Sequence, residues 1–214
     1  MKCPRCFWLI KHGVQKPDTY PYALNNAVDS LLKAKSDIYR SKGELPPLFK
    51  ESGISGRLFP DLEKMNEWRA NRQGVRWEDP ETGYTFNGAI DDLLELSDGS
   101  LSVVDYKASG AQEATVYPDY QLQVDFYTFL LQKLGYKTAP KAFFAFFMAV
   151  KKGEFQGHLA FQGVVKEVQV NPGRIYGILK EAISNTQTDV APSSGENCDR
   201  CRWFRETQST LRDK

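Results

Sequence analysis

The stretch Gly88-Ala89-Ile90-Asp91-Asp92-Leu93-Leu94-Glu95-Leu96-Ser97-Asp98-Gly99-Ser100-Leu101-Ser102-Val103-Val104-Asp105-Tyr106-Lys107 decides how this chain is read. Two mostly apolar, β-favouring runs flank Ser97-Asp98-Gly99-Ser100, so the segment reads as a β-hairpin. Strand side chains alternate between faces, which puts Asp105 and Lys107 on the same side. Asp91 and Asp92 are adjacent and face opposite ways, so only one of them can join Asp105. A two-residue turn at Asp98-Gly99 sets Asp92 across from Asp105. A three-residue loop shifts the pairing by one and brings Asp91 to the Asp105 face. Alternation alone leaves both registers open.

Two carboxylates from neighbouring strands are hard oxygen ligands suited to Mg²⁺ or Mn²⁺. A lysine beside them can hold a water or offset charge developing on a phosphate. An Asp-x-Lys triplet by itself is more often an exposed ion pair on an edge strand. Gly88-x-Ile90-Asp91 on the preceding strand shifts that balance toward chemistry.

Gly88-x-Ile90-Asp91, the Asp98-Gly99 turn and Asp105-Tyr106-Lys107 resemble the core of the PD-(D/E)XK nuclease superfamily, most closely its RecB-like branch. The resemblance covers about Tyr22 to Val150 and implies an α/β fold, a restriction-endonuclease-like mixed central sheet flanked by helices with an αβββαβ core. It selects Asp91 over Asp92, and with it a bulged or odd-length turn at Asp98 to Ser100. It implies that Asp91 and Asp105 hold Mg²⁺ or Mn²⁺, with the backbone carbonyl of Val104 or Tyr106 as a further ligand. Lys107 would position the attacking water. The family's Gln-x-x-x-Tyr pattern fits Gln123 and Tyr127, which would orient Lys107 or the scissile phosphate. An acidic residue on the first helix, Asp29, is the candidate third metal ligand, set against the plainer reading of a solvated helix face.

At 214 residues the chain suits one sizeable core, and its 41% hydrophobic and 26% charged residues are ordinary for a soluble domain. A single domain over 1–214 is expected. The net charge of +1 excludes a uniformly basic coat but leaves room for a local basic groove. The longest apolar run, Ala142 to Val150, is too short to span a bilayer, and no secretory leader opens the sequence, so a cytoplasmic protein is expected.

All four cysteines fall in two pairs, Cys3-Pro4-Arg5-Cys6 and Cys198-Asp199-Arg200-Cys201. In a reducing compartment such pairs point to a metal rather than to disulfides. A zinc ribbon keeps its pairs within about 15–20 residues; here residues 1–10 and 195–205 must meet, as a four-cysteine metal clamp joining the termini. Zinc and an iron–sulfur cluster both suit four thiolates. Some RecB-like relatives, the AddB-type and CRISPR-associated exonucleases, hold a 4Fe-4S cluster on one N-terminal and three C-terminal cysteines. Cys3-Pro4-Arg5 before Phe7-Trp8-Leu9 resembles their N-terminal motif, but two cysteines at each end depart from it.

Along the rest of the chain, His12 to Pro21 reads as a loop and Tyr22 to Arg40 has helical period. Glu44 to Pro60 is broken by Pro46-Pro47, Gly53 and Gly56 and reads as irregular. Asp61 caps a helix running to Gln73, near whose end Arg69, Arg72 and Arg76 interleave with Trp68 and Trp77. That cluster is either a nucleic-acid contact or a solvated face over two core indoles. Pro118-Asp119 opens a long helix to Leu134 on which Tyr120, Gln123 and Tyr127 share a face; Gln121 lies about 200° round from Gln123. Lys141 to Val150 reads as a strand buried on both faces, and His158 to Val170 as one more strand. Asn171-Pro172 opens a helix through Ile183, and Asn185 to Asn197 is a polar linker.

These features together predict a Mg²⁺- or Mn²⁺-dependent deoxyribonuclease, exonuclease-like. Its substrate would be single-stranded DNA or duplex ends, with a repair or CRISPR-type protein partner and no membrane. The competing readings are a non-catalytic nucleic-acid-binding or assembly module on the same fold, and a thiol redox protein. The complete set of Asp91, Asp105, Lys107 and Gln123 weighs against the first.

Overall fold

Three residues, Ser97 to Gly99, close the central hairpin in a computed structural model that describes residues 3–15, 23–154 and 157–212. Leu96 N donates to Ser100 O at 2.9 Å, and Gly99 N donates back to Leu96 O at 2.9 Å. Gly99 takes a φ of 75°, the left-handed conformation that a three-residue hairpin loop needs at its last position. Asp98 Oδ1 ties the turn by accepting from Ser100 N at 3.0 Å. The ladder that follows pairs Glu95 with Leu101 and Asp92 with Val104. One step further along the same register, Asp91 stands opposite Asp105. The odd-length turn is therefore present, one residue earlier than expected.

In chain order, the elements are α1 (Pro4–Lys11), α2 (Ala23–Ser41), α3 (Pro47–Glu51), β1 (Arg57–Leu58), α4 (Leu62–Arg69), β2 (Val75–Glu78) and β3 (Thr85–Gly88). They continue with β4 (Asp92–Glu95), β5 (Leu101–Ser109), α5 (Pro118–Lys133), β6 (Lys141–Ala149), β7 (Phe161–Gln169), a 3₁₀ turn (Pro172–Arg174), α6 (Ile175–Thr186) and α7 (Asp199–Arg212). Two compact units emerge, residues 22–173 and residues 1–21 with 174–214.

In the larger unit the sheet order is β1-β4-β5-β6-β7, with β5 and β6 parallel and the other neighbours antiparallel. A parallel pair needs a crossover, and α5 supplies it. β6 is the buried strand that its unbroken apolar run predicts, while β7 is a half-exposed edge. One face of the sheet packs Val104, Tyr106, Phe143 and Ala145 against Leu45, Phe49 and Leu58. Alternation turns Asp105 and Lys107 to the other face, where α5 lies on β5. β2 and β3 form a separate two-stranded sheet.

Some expectations need adjusting. The stretch from Glu44 to Pro60 is not wholly irregular: Pro47 starts α3, because a proline at the first helical position loses no needed hydrogen bond. The helix capped by Asp61, whose Oδ1 accepts from Lys64 N at 2.9 Å, stops at Arg69, since Ala70 is already extended. Tyr22, the expected start of α2, and part of the His12–Pro21 loop lie outside the described residues. In the smaller unit α1 and α7 occupy stretches for which no helix was expected, and α1 packs on α6. Among the described residues no helix is long and apolar enough to cross a membrane.

Beneath the hairpin lies a closed polar network. Asp92 is fully buried, and its Oδ1 receives Arg40 Nη2 at 2.5 Å and Leu93 N at 2.8 Å. Its Oδ2 receives Arg69 Nη2 and the Tyr106 hydroxyl, both at 3.0 Å. Arg40 also donates to Phe59 O and to Asp37, and Ser36 Oγ meets Tyr106 Oη at 2.7 Å. Four donors on one carboxylate satisfy it completely. Removing one partner strands the others, so Asp92→Ala should lower the unfolding free energy by about 3–5 kcal/mol, read as a fall in denaturant midpoint. A change under about 1 kcal/mol would show that the network carries no weight.

Candidate active site

Asp91 lies just before β4, and its position is fixed from both sides. Its Oδ2 accepts from the backbone amide of Tyr106 at 3.0 Å, and its own carbonyl accepts from Arg69 Nε at 2.8 Å. Asp105, on the central strand β5, is 1% exposed. Neither Asp105 oxygen has a hydrogen-bond partner. Lys107 Nζ approaches Oδ2 to 2.6 Å as an ion pair, but at an angle outside hydrogen-bond geometry. Burial pushes the Asp105 carboxyl up to about 7, the Asp91 charge adds to this, and Lys107 works against it. Lys107 offsets only part of the cost of burying this carboxylate beside a second one, and a further cation would offset the rest.

The other predicted side chains form a chain running out from Lys107. Its Nζ donates to Gln123 Oε1 at 3.1 Å, and Gln123 Nε2 donates to the Tyr127 hydroxyl at 2.8 Å. The same ammonium sits 4.5 Å from the centre of the Tyr120 ring, a cation–π contact. Burial raises the Tyr127 phenol to about 12, so it stays protonated at neutral pH. Gly88 makes room for this tyrosine, since a Cβ there would stand 2.6 Å from Tyr127 Cε1. Gln121 points elsewhere, to Asp125 and to the carbonyl of Gln169.

Asp29 also reaches this edge, through a residue that sequence reading missed. Lys33 Nζ lies 2.8 Å from Asp29 Oδ2 and 2.8 Å from Asp91 Oδ1. Burial alone would lower the pKa of Lys33, but the Asp91 and Asp29 carboxylates outweigh it and raise it. The i, i+4 spacing of Asp29 and Lys33 on α2 was the available signal.

The three arginines part company. Arg69 is almost buried and every nitrogen of its guanidinium is engaged: Nε with Asp91 O, Nη1 with Asp37, Nη2 with Asp92. Its place is structural, behind the carboxylate edge. Arg72 and Arg76 are exposed. Trp68 stacks on Phe59 and Trp77 meets Phe129 edge-on, so both indoles serve packing.

In the smaller unit the four cysteines gather. Their Sγ atoms all lie within 4.8 Å of one another, and Cys3–Cys201, Cys6–Cys198 and Cys6–Cys201 stand 3.7, 3.6 and 3.7 Å apart. All four thiols are free. Gly195 N donates to Cys3 Sγ at 3.3 Å, and such donors outweigh burial to bring the Cys3 thiol down to about 6, whereas burial and neighbouring thiols push Cys6 up. Arg5 Nε on Pro192 O at 2.9 Å and Trp8 Nε1 on Thr188 O at 2.8 Å tie α1 to the segment that leads to the second pair.

Comparison with known proteins adds one firm result. No curated protein matches the chain. A solved structure titled "Crystal structure of SSO0001" shares 13% identity over 55% of this chain and 49% of that one, with a TM-score of 0.32. The match spans about half of that chain and is too loose to bear on fold or function. The sequence profile of the PD-(D/E)XK nuclease superfamily, by contrast, matches residues 10–205. Members of that superfamily are typically metal-dependent nucleases, and this chain belongs to it.

Proposed function

We propose that this protein is a Mg²⁺- or Mn²⁺-dependent deoxyribonuclease of the RecB-like branch. The observation that carries the reading is the buried Asp105 opposite Asp91, whose Oδ1 has no partner and whose Oδ2 is met by the Lys107 ammonium alone. Hard carboxylate oxygens lacking donors fit a divalent cation. Asp91 and Asp105 would hold it, and it would polarise the phosphodiester and stabilise the leaving oxygen when bound.

The chain's own residues prepare the rest. The Tyr106 amide aims Asp91, and Arg69 holds the Asp91 backbone from behind. Lys107 positions the attacking water and balances charge on the phosphate. Gln123 accepts from Lys107 and is itself held by Tyr127, so the ammonium is aimed through two fixed hydrogen bonds. Exposed Arg72 and Arg76 are offered as contacts to the DNA backbone. Exonuclease action on single-stranded or duplex ends rests on the RecB-like resemblance. A role inside the cell in repair, recombination or CRISPR-type processing, with a protein partner from such a system, rests on that resemblance as well. Residues 1–214 are read as one functional module.

The cysteine cluster is proposed as a structural zinc site. A tetrahedral ion with zinc–sulfur bonds of about 2.3 Å spaces its thiolates by roughly 3.8 Å. Three of the observed separations, at 3.6–3.7 Å, match that spacing, and all lie within 4.8 Å. A cluster of four irons, each taking one thiolate, holds its cysteines further apart. The purified protein should therefore be colourless under anaerobic conditions and carry one zinc per chain. Broad visible absorption would replace zinc with an iron–sulfur cluster.

Asp105→Ala should abolish Mg²⁺-dependent cleavage of end-labelled DNA while the domain stays folded; full activity would sink the nuclease reading. Asp105→Asn separates catalysis from stability. In wild type the raised carboxyl keeps its proton above the unfolded value, so metal-free stability falls as pH rises through about 7. The asparagine carries no such charge. Without divalent metal at pH 8 it should melt a few degrees higher than wild type, about 1 kcal/mol or more, with the gap closing in acid. A lower melting temperature at pH 8 would mean that Asp105 is already satisfied without metal.

A further inference from the structure

The two carboxylates at the candidate site are partnered differently. Asp105 Oδ1 has no partner, and its Oδ2 meets the Lys107 ammonium alone, at 2.6 Å. Both Asp91 oxygens have a partner, Oδ2 the Tyr106 amide at 3.0 Å and Oδ1 the Lys33 ammonium at 2.8 Å, and each keeps a second lone pair. The Lys33 ammonium stands between two carboxylates, because Asp29 Oδ2 is also 2.8 Å away. Its side chain is only 20% exposed, so the stem is packed and the charge is delivered to a fixed point. Asp29 is thus brought to the site facing a lysine of its own helix.

Resting on the metal-dependent reading above, we propose that Lys33 is a built-in cation that fills a second cation position between Asp29 and Asp91. The protein then takes up one divalent ion per chain, between Asp91 and Asp105, where two are otherwise possible. Charge makes the case. Asp29, Asp91 and Asp105 supply three negative charges, and Lys107 and Lys33 return two of them. One divalent ion then leaves the cluster at +1, and a second would have to enter beside an ammonium at close range. Two like charges held that close in a half-buried site repel strongly. Without Lys33 the same cluster stands at −2 and has an empty carboxylate pair. Lys33 also presents a second ammonium at the edge where a phosphate would approach, reached from α2 rather than from β5.

Mn²⁺ titration of the full chain, with its cysteine site left loaded and no DNA present, tests this by counting bound ions through loss of the free Mn²⁺ electron paramagnetic resonance signal. Wild type should bind one ion, and Lys33→Met, which keeps the apolar stem, should bind two. Lys33→Gln should repeat the gain, and Lys33→Arg, which keeps the charge, should stay at one. Adding Asp29→Asn to Lys33→Met should bring the count back to one by breaking the vacated pair. Circular dichroism confirms that each variant is folded, and the two neutral variants guard against one failing. Two ions in wild type, or one in both neutral variants, overturns the proposal and leaves the nuclease reading standing. No bound Mn²⁺ in wild type overturns both.

Discussion

Everything at the edge that carries Asp91 and Asp105 depends on where Asp92 points. Its carboxylate is fully buried and satisfied by four donors from α2, α4, β4 and β5. A buried charge that well bonded cannot be turned toward solvent without stranding Arg40, Arg69 and the Tyr106 hydroxyl. Strand alternation then leaves Asp91 no choice of face. The three-residue turn at Ser97–Gly99 imposes the same register from the other end of the hairpin. Two independent constraints thus agree on a single pairing, and that agreement puts Asp91 across from Asp105 rather than one position away.

Neighbouring aspartates consequently do opposite jobs. Asp92 spends its charge on stability, inside a closed network. Asp105 lies on a central strand, where burial raises its pKa and only the Lys107 ammonium works against it. On the proposed metal-dependent reading, the free energy of that strain would be recovered as affinity for the cation. The cost is tolerable because the surrounding strands are among the best packed in the molecule, with Val104, Leu93, Leu94 and Phe144 fully buried. Lys33 and Lys107 moderate it from two sides without cancelling it.

Much of this was legible in the sequence, for definite reasons. Alternation and turn chemistry give the hairpin, and a 100°-per-residue helix puts Gln123 rather than Gln121 beside Tyr127; both are local rules. The register was only half local. The turn that sets it is local, but alternation left its length open, and the partners that bury Asp92, Arg40 and Arg69, lie 52 and 23 residues away and look in sequence like any exposed helical arginines. The same blindness made Arg69 a candidate phosphate contact, although its three nitrogens are engaged within the fold. Lys33 was missed because an i, i+4 Asp–Lys pair is common on solvated helices; only the meeting with Asp91 makes it unusual. The helices α1 and α7 were missed because their stretches were read through their cysteines alone.

The two metal-type sites differ in what each asks of the fold. The carboxylate site sits in the unit that has the large apolar core, so that core can bear the strain of an unsatisfied charge. The cysteine site sits where apolar burial is thin: among the described residues α1 buries none of its side chains, α6 only Ile175 and α7 only Cys201. Helices so poorly buried do not hold one another by hydrophobic contact. Beside the Arg5–Pro192 and Trp8–Thr188 hydrogen bonds, four thiols drawn together from positions nearly 200 residues apart join them. A metal on those thiols would supply as folding free energy what the helices lack in core. On the proposed reading, the fold of one unit would be the scaffold for its ion, and the ion of the other would be the scaffold for its fold.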